Sequence, residues 1–304
     1  MNFLAYYEQI LNKGEDAFPT LIHTKNNLVW LGVYDGMGGS GGKSYQIENE
    51  TYSGAYIGAR KVKEITEFYL ENYQNILNLD EFTKYLKENL DFFADKFANQ
   101  TSLIKSKLLK QFPTTLCLLS WEWIENNQIF LQTFNAGDSR VYAFTPENCQ
   151  LLTKDDLEQE IDCYENLRSE SGLHNYIAAN ENFFITQKNY TFQKPCLLLV
   201  ATDGVFHYFE TPMHFEYIFL QTLVHTKSNI DNWQSILLEN LIKYSSDDIS
   251  FVISAVGFKD FSQMQNIFYA RYQFLYQNFI EPYQKKEKTA EELWQIYQKS
   301  MFLD

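Results

Sequence analysis

The chain has 304 residues, of which 45% are hydrophobic, 17% aromatic and 21% charged. This length and composition predict a folded protein with a sizeable core and exclude a largely disordered chain. The formal net charge of −14 repels nucleic-acid backbones and anionic lipid, and no basic block offsets it. We therefore expect neither nucleic-acid binding nor membrane binding.

The cysteines and the N-terminal residues indicate the compartment. No two cysteines form a C-x-x-C pair or stand at zinc-like spacing with a histidine. The chain begins MNFLAYYEQI, without the basic and apolar regions of a signal peptide. No run reaches the roughly 20 apolar residues of a membrane span. These features predict a cytoplasmic protein.

Apolar runs and helical periodicity predict the elements of the first two thirds of the chain. A buried strand over 28–34 leads into a loop with glycines concentrated between Gly36 and Gly42. The segment 146–195 is polar and irregular, which predicts a flap or a long loop. The other predicted elements are helices over 51–71 and 80–110 and strands over 114–123, 128–134 and 140–145.

The last third contains two strong strands and a helix-rich end. The strands are predicted over 197–201 and 251–256, with a helix over 233–244 between them. Beyond Gly257, aromatic and apolar residues recur at helical spacing until Pro282, and Thr289 with Glu292 forms a capping box for a terminal helix. We expect residues 1–257 to form one domain and 258–304 a helical extension packed on it. The alternative is that the extension contacts a partner or a second copy.

The strongest local motif is VYDGMGG at residues 33–39. A buried strand runs into Asp35, and glycines follow at once, which leaves a carboxylate at a strand end beside uncovered backbone. Carboxylate and carbonyl oxygens suit a hard cation such as Mg²⁺ or Mn²⁺.

A competing interpretation of the same loop is a nucleotide-binding enzyme that uses residues 36–44. The dipeptide Lys43-Ser44 after Gly42 is similar to the end of a P-loop. That motif requires glycine six positions before the lysine, where this chain has Met37. The spacing therefore argues against phosphate binding by this loop.

Four other short motifs carry carboxylates at predicted strand ends or turns. They hold the acidic pair Glu15-Asp16, Asp138 in the turn before Arg140, Asp203 after the strand 197–201, and the pair Asp247-Asp248 before the last strand. Each motif alone is typical of an ordinary turn. Their repetition predicts a β-framework that gathers carboxylates at one end. We expect Asp35, Asp203 and Asp247 to converge on two divalent metal ions that hydrolyse a phosphate ester.

In this order, the motifs GED, VYDGMGG, PTTL, AGDSRVY, LLTKDD, LLLVATDG and SDDISFVIS resemble the metal-dependent protein phosphatase family (PPM, protein phosphatase type 2C) over residues 10–257. The DGMGG form is similar to the bacterial branch. The resemblance implies an α+β fold, an antiparallel β-sandwich flanked by helices on both sides in four αββα layers. Here a C-terminal helical extension follows it.

The resemblance also implies roles for individual residues. Asp35 would bridge two Mn²⁺ or Mg²⁺ ions, Gly36 would offer its carbonyl oxygen, and Asp203 and Asp247 would complete the two sites. Three more acidic residues would assist: Glu15 through metal-bound water, Asp16 by supporting Glu15, and Asp138 at a third, weaker site.

The implied reaction is the dephosphorylation of phosphoserine and phosphothreonine in proteins, as in signalling. A hydroxide bridging the two ions would attack phosphorus in line with the leaving seryl or threonyl oxygen. No protein nucleophile is needed, in agreement with the lack of a Cys/His or Ser/His arrangement. The substrate would be a phosphorylated protein.

Three positions depart from the family pattern. Where many members carry a phosphate-binding arginine, this chain has Leu11, and Lys13 is the nearest cation, with charge but no bidentate fork. Met37 replaces a histidine of the animal enzymes, and His207 replaces an acidic residue of the third metal site. An alternative function is therefore a degenerate phosphatase-fold domain that binds a partner as a regulatory protein without turnover.

Overall fold

The computed structural model describes residues 2–8 (as backbone), 14–72, 77–100, 109–125, 127–168, 171–227 and 229–302. The strands are β1 Asn2–Glu8, β2 Ala17–His23, β3 Val29–Tyr34, β4 Ser44–Ile47, β5 Glu50–Ser53, β6 Gln111–Thr114, β7 Leu116–Trp123, β8 Gln128–Ala136, β9 Arg140–Phe144, β10 Cys149–Leu151, β11 Ile177–Ala179, β12 Thr186–Gln193, β13 Cys196–Ala201 and β14 Ile249–Val256. The helices are α1 Gly38–Gly41, α2 Gly54–Asn72, α3 Leu79–Asp95, α4 Pro212–His225, α5 Ile230–Tyr244, α6 Phe261–Leu275, α7 Glu281–Gln284 and α8 Ala290–Met301.

Two antiparallel five-stranded sheets form the centre of the fold. The first sheet has the strand order β1-β14-β13-β9-β10, and the second has the order β12-β8-β7-β3-β2. Two small two-stranded sheets, β4-β5 and β6-β11, lie beside them.

The two large sheets pack face to face, as period-2 alternation along the strands requires. In β3, Val29, Leu31 and Val33 belong to the apolar cluster between the sheets. Trp30 and Tyr34 on the opposite face pack with residues of α2 and α3. The predicted αββα sandwich is confirmed, with α2 and α3 outside the second sheet and α4, α5, α6 and α8 outside the first.

The bounds of two predicted helices differ from the structure because tertiary packing determines where these helices begin and end. The predicted helix over 80–110 ends at Asp95, and Phe97 beyond it turns to pack against Tyr45 and Phe112. Residues 101–108 of that prediction lie outside the described residues. Helix α2 starts at Gly54, since 51–53 belong to the β4-β5 hairpin, which was not predicted.

Three further elements were missed because their periodicity is weak. β2 contains Pro19, which interrupts the strand pattern. Helix α4 is buried on nearly all sides, so its sequence lacks an amphipathic period. β12 lies at the edge of its sheet and is mostly polar, so the segment 146–195 is more ordered than expected.

The C-terminal helices pack on the first sheet and its helices. The aromatic and apolar residues that recur at helical spacing in this segment are all buried, namely Phe261, Met264, Phe268, Tyr272, Leu275 and Phe279. The capping box of Thr289 and Glu292 at the start of α8 is present.

The helical spacing was predicted to end at Pro282, but the helical segment continues through it. A π-helical turn over Tyr276–Ile280 runs directly into α7, whose first turn contains Pro282. Pro282 has no N–H, so this continuous helical segment lacks one intrahelical hydrogen bond there without ending. In the described part of the chain, no helix is both long and apolar enough to cross a membrane.

Candidate metal centre at one end of the sandwich

Strand register brings the predicted acidic motifs to the same end of both sheets. In the first sheet, Ala201 at the end of β13 pairs with Arg140 at the start of β9 and with Phe251 near the start of β14. In the second sheet, Tyr34 at the end of β3 pairs with Ala17 at the start of β2. The turns that carry the carboxylates therefore all leave the sandwich at this end.

Asp35 is held by its backbone immediately after β3. Its carbonyl oxygen accepts hydrogen bonds from the Thr115 N–H at 2.8 Å and the Thr114 hydroxyl at 2.6 Å. Its own N–H donates to Thr115 Oγ1 at 3.2 Å. The Thr115 hydroxyl also lies 2.8 Å from that of Ser139, which ties Asp35 in the second sheet to the Asp138 turn in the first.

Asp203 opens a short 3₁₀ turn directly after β13. Its carbonyl oxygen accepts from the His207 N–H at 2.8 Å. The preceding Thr202 donates its hydroxyl to Asp16 Oδ2 at 3.0 Å, and the Ser250 N–H donates to the same hydroxyl at 3.2 Å. Thr202 thus joins the Asp203 turn to the acidic pair before β2 and to β14.

The two residues of the Asp247-Asp248 pair have different roles. The Asp248 side chain is buried, and its Oδ2 accepts the N–H groups of Glu15 at 2.6 Å and Asp16 at 3.1 Å. Asp247 is exposed at the rim, and its Oδ1 accepts the Asp248 N–H at 2.8 Å. Asp248 therefore fixes the Glu15 segment, while Asp247 stays accessible.

Two close approaches show how tightly these turns fit. A Cβ on Gly204 would lie 1.9 Å from the carbonyl oxygen of Asp248, so the Asp203 turn rests against the 247–248 pair. A Cβ on Gly38 would lie 2.0 Å from Glu15 Oε2. The Glu15 carboxylate therefore lies against the glycine loop, and the Ser53 hydroxyl donates to its other oxygen.

Asp138 stands in the turn between β8 and β9, and residues of the segment after β10 hold this turn. The Gly137 N–H donates to Asp156 Oδ2 at 3.0 Å. Arg140 does not pair with the neighbouring Asp138. Its guanidinium makes a bidentate ion pair with Asp155, with distances of 3.0 and 2.6 Å.

Burial and mutual repulsion raise the pKa values of these carboxyls. Burial raises the pKa of Asp35 well above its usual range, and Asp16, Asp203, Asp138 and Asp247 raise it further. The Asp16 and Asp138 pKa values are raised by burial and by neighbouring carboxylates that include Asp203. Desolvation of the rim carboxylate and the charge of Asp203 raise the pKa of Asp247 to about 6.

The donor set fits divalent cations. The described residues contain no Lys or Arg ion pair to Asp35, Asp203 or Asp247, so their charges need another source of compensation. Carboxylates beside backbone carbonyls are the donors that Mg²⁺ and Mn²⁺ prefer.

The carboxylates form one electrostatic cluster rather than a ready coordination shell. No group of three or more His, Cys, Asp or Glu side chains in the described ranges is arranged to hold a metal ion. Repulsion between like charges keeps neighbouring carboxylates from approaching one another as closely as the ligands of one ion do. The ligand roles of Asp35, Gly36, Asp203, Asp247, Glu15 and Asp138 therefore remain predictions.

The structure describes only some of the positions that depart from the family pattern. Leu11 and Lys13 lie outside the described residues. His207 follows the Asp203 turn, and its ring packs edge-on against Tyr208. Lys43 is followed by the β4-β5 hairpin rather than by a long helix, and its ammonium group lies 4.9 Å from the Tyr45 ring centre. This connectivity is not that of a P-loop.

Four residues that organise the site were given no role by sequence reasoning. Thr115 and Thr202 bond across strands that are distant in sequence, and Ser53 at the end of β5 donates to Glu15. Asp248 was recognised only as part of an acidic pair. The PTTL motif carried a signal for Thr115, whereas nothing near Ser53 distinguishes it from an ordinary turn residue.

No protein-family model and no curated protein matches the sequence. Solved structures do match. A serine/threonine phosphatase from S. agalactiae is 16% identical, with 84% of this chain and 98% of that chain covered, at a TM-score of 0.56. The Mycobacterium tuberculosis serine/threonine phosphatase PstP/Ppp is 14% identical, with 84% of this chain and 99% of that chain covered, at a TM-score of 0.57.

A third similar structure is the catalytic domain of the serine threonine protein phosphatase PstP in complex with two manganese ions. It is 16% identical, with 84% of this chain and 97% of that chain covered, at a TM-score of 0.53. At these identities the likeness concerns the fold. The chain has the fold of the bacterial, PPM-type serine/threonine phosphatases.

Proposed function

We propose that the protein is a metal-dependent serine/threonine protein phosphatase that hydrolyses phosphoserine and phosphothreonine. The observation that carries this proposal is the gathering of Asp35, Asp203 and Asp247 at one end of a sandwich with this fold. The manganese ions of the similar PstP structure support the choice of metal.

In this proposal, Asp35, the Gly36 carbonyl, Asp203 and Asp247 hold two Mn²⁺ or Mg²⁺ ions. Such ions would make a water nucleophilic at neutral pH and offset charge on the phosphoryl oxygens. Glu15 would act through water, positioned by Ser53 and by the Asp248 carboxylate.

Two roles in the proposal concern residues at the edges of the site. Asp138 would serve a third ion. Its turn is tied through Gly137 to Asp156, at the base of the segment that follows β10. The assignment of phosphate positioning to Lys13 also stays a proposal.

The test is hydrolysis of an aryl phosphate and of a phosphothreonine peptide with Mn²⁺ or Mg²⁺. We expect Asp35→Asn and Asp203→Asn each to lower kcat/KM by about 10³-fold or more, because both lose metal and transition-state charge compensation. Asp231→Asn, at an exposed position in α5, is the matched control and should keep wild-type activity. Full activity in Asp35→Asn would exclude the proposal.

The second candidate is a phosphatase-fold domain that binds a partner without turnover. It is favoured by one observation: among the described residues, no group of three or more His, Cys, Asp or Glu side chains is arranged to hold a metal ion. Calorimetry with Mn²⁺ distinguishes the two. Absence of both metal binding and hydrolysis would support the non-catalytic function, and robust turnover would exclude it.

A further inference from the structure

A groove of about 600 Å³ lies between β2 and α2 on the outer side of the second sheet. Phe18 of β2 and Phe68 of α2 line it, with 53% and 56% of their surface exposed. Phenylalanine is usually buried, and exposed apolar surface set among polar residues is typical of interaction sites.

One end of the groove adjoins the candidate metal centre. Ala17 lines the groove and directly follows the Glu15-Asp16 pair. Arg60 lines it as well, and its Nη1 donates to the Glu15 carbonyl oxygen at 3.2 Å. A chain lying in the groove would therefore continue toward the carboxylate cluster.

Internal contacts hold the groove in shape. The Glu67 carboxylate accepts from the Thr20 hydroxyl at 2.8 Å and pairs with Lys63 at 2.7 Å, which fastens α2 to β2. The Arg60 guanidinium stacks on the Tyr56 ring, 3.3 Å from its centre. A surface that is already ordered loses little conformational entropy on binding.

The geometry of β2 indicates how a ligand would bind. β2 is an edge strand, but Pro19 lacks an N–H and the register shifts between Ala17 and Thr20. Both features disfavour the addition of a further strand. A ligand would therefore contact the groove through its side chains. Phe18 and Phe68 can cover an apolar side chain. The charged lining residues around them are Arg60, Lys63, Glu64, Glu67 and Glu71.

We propose that this groove binds the substrate segment flanking the phosphorylated residue and selects an apolar side chain there. The inference rests on the proposed phosphatase function. Phe68 lies just over two helical turns beyond Arg60, about 12 Å along α2. An extended peptide covers that distance with about three to four residues. The preferred apolar residue therefore lies at least about three to four positions from the phosphoresidue.

The experiment compares phosphothreonine peptides that differ only in carrying Leu or Ser at each position three to five residues from the phosphothreonine, on either side. With Mn²⁺, we expect the best Leu peptide to have about tenfold higher kcat/KM than its Ser partner, mainly through KM. Phe68→Ser should reduce this preference to less than twofold. Phe92→Ser, which removes a phenylalanine of α3 that is 68% exposed, should preserve it.

Equal rates for every Leu and Ser pair, or a preference that survives Phe68→Ser, would overturn the inference. Aryl phosphate hydrolysis in the same assays tests the proposed function separately. If that hydrolysis is absent, fluorescence anisotropy of the same labelled phosphopeptides tests the groove. Tighter binding of a Leu peptide that is lost in Phe68→Ser would support the groove, and equal binding would exclude it.

Discussion

The Asp248 carboxylate accepts the backbone N–H of Glu15 at 2.6 Å, although 232 residues separate them in the chain. The same oxygen accepts the N–H of Asp16 at 3.1 Å. Asp248, which stands beside the predicted metal ligand Asp247, thus fixes the backbone of the Glu15-Asp16 pair.

This relationship predicts different effects for two substitutions of Asp248. An asparagine retains an oxygen that can accept both N–H groups and removes one charge from the cluster. Asp248→Asn should therefore keep the wild-type free energy of unfolding within about 1 kcal/mol. Asp248→Ala leaves both groups without this acceptor and should cost about 2–4 kcal/mol. Urea unfolding measures both, and equal values for the two variants would contradict the role of this oxygen.

The close approach of Gly204 to Asp248 predicts a steric effect on the site. A Cβ at Gly204 would lie 1.9 Å from a carbonyl oxygen, so Gly204→Ala must displace the Asp203 turn. We expect a loss of about 1–3 kcal/mol in stability together with reduced hydrolysis. The control is Gly39→Ala, because a Cβ on Gly39 has no atom within 4 Å. Similar behaviour of the two variants would contradict this account.

Metal binding should stabilise the protein through Asp35. A ligand at 100 times its Kd adds about 2.7 kcal/mol to the free energy of unfolding. Mn²⁺ should therefore raise the Tm of the wild type and of Asp231→Asn, measured by differential scanning calorimetry with an EDTA baseline. Asp35→Asn should lose most of this increase. In EDTA, Asp35→Asn should unfold at a higher temperature than the wild type, because it removes a carboxylate whose charged form is disfavoured by burial and by its neighbours. An unchanged response to Mn²⁺ in Asp35→Asn would exclude it as a ligand.

A buried ion pair connects the C-terminal helices to α4. Arg271 of α6 makes two hydrogen bonds to Glu216, at 2.8 and 2.7 Å, and the Tyr297 hydroxyl of α8 donates to the same carboxylate at 2.7 Å. Glu216→Gln should cost about 3–5 kcal/mol, because it leaves a buried guanidinium without its counter-charge.

The matched control for that pair is Glu64→Gln, which removes an exposed partner of Lys61. We expect a change of less than about 1 kcal/mol there, since surface ion pairs contribute little. Guanidinium chloride would screen charges, so urea is the better denaturant for this comparison. Equal effects of the two substitutions would show that the buried pair does not fasten 258–304 to the domain.

His214 predicts a pH dependence of stability. Burial lowers its pKa below the usual value of about 6.5, so the folded state disfavours the protonated ring. The resulting stability is present above the unfolded pKa and is lost as the pH falls below about 6.5. His214→Phe, which preserves an aromatic ring beside Phe209 and Tyr244, should therefore lose less stability than the wild type between pH 7 and pH 5. Parallel urea midpoints for both proteins over this range would contradict the assignment.

Strongly apolar strands and their end residues were predictable because local sequence determines them. The strands around Val33, Leu199 and Ile253 are short apolar runs, and each neighbours an acidic turn at the end where it meets the site. β12 and α4 were not predictable. One is a polar edge strand, and the other is apolar on almost every side, so neither shows the expected period.

The acidic motifs predicted that Asp35, Asp203 and Asp247 gather at one end of a β-framework, whereas the αββα architecture was implied only by the resemblance of their order to a known family. The motifs could predict this gathering because a buried strand that ends in Asp-Gly places its carboxylate at the edge of a sheet. Two contacts depend on the folded arrangement of distant segments: Asp248 holds the Glu15 backbone, and Arg140 pairs with Asp155. Strand register and packing between distant segments determine these two contacts, and a local sequence pattern cannot predict them.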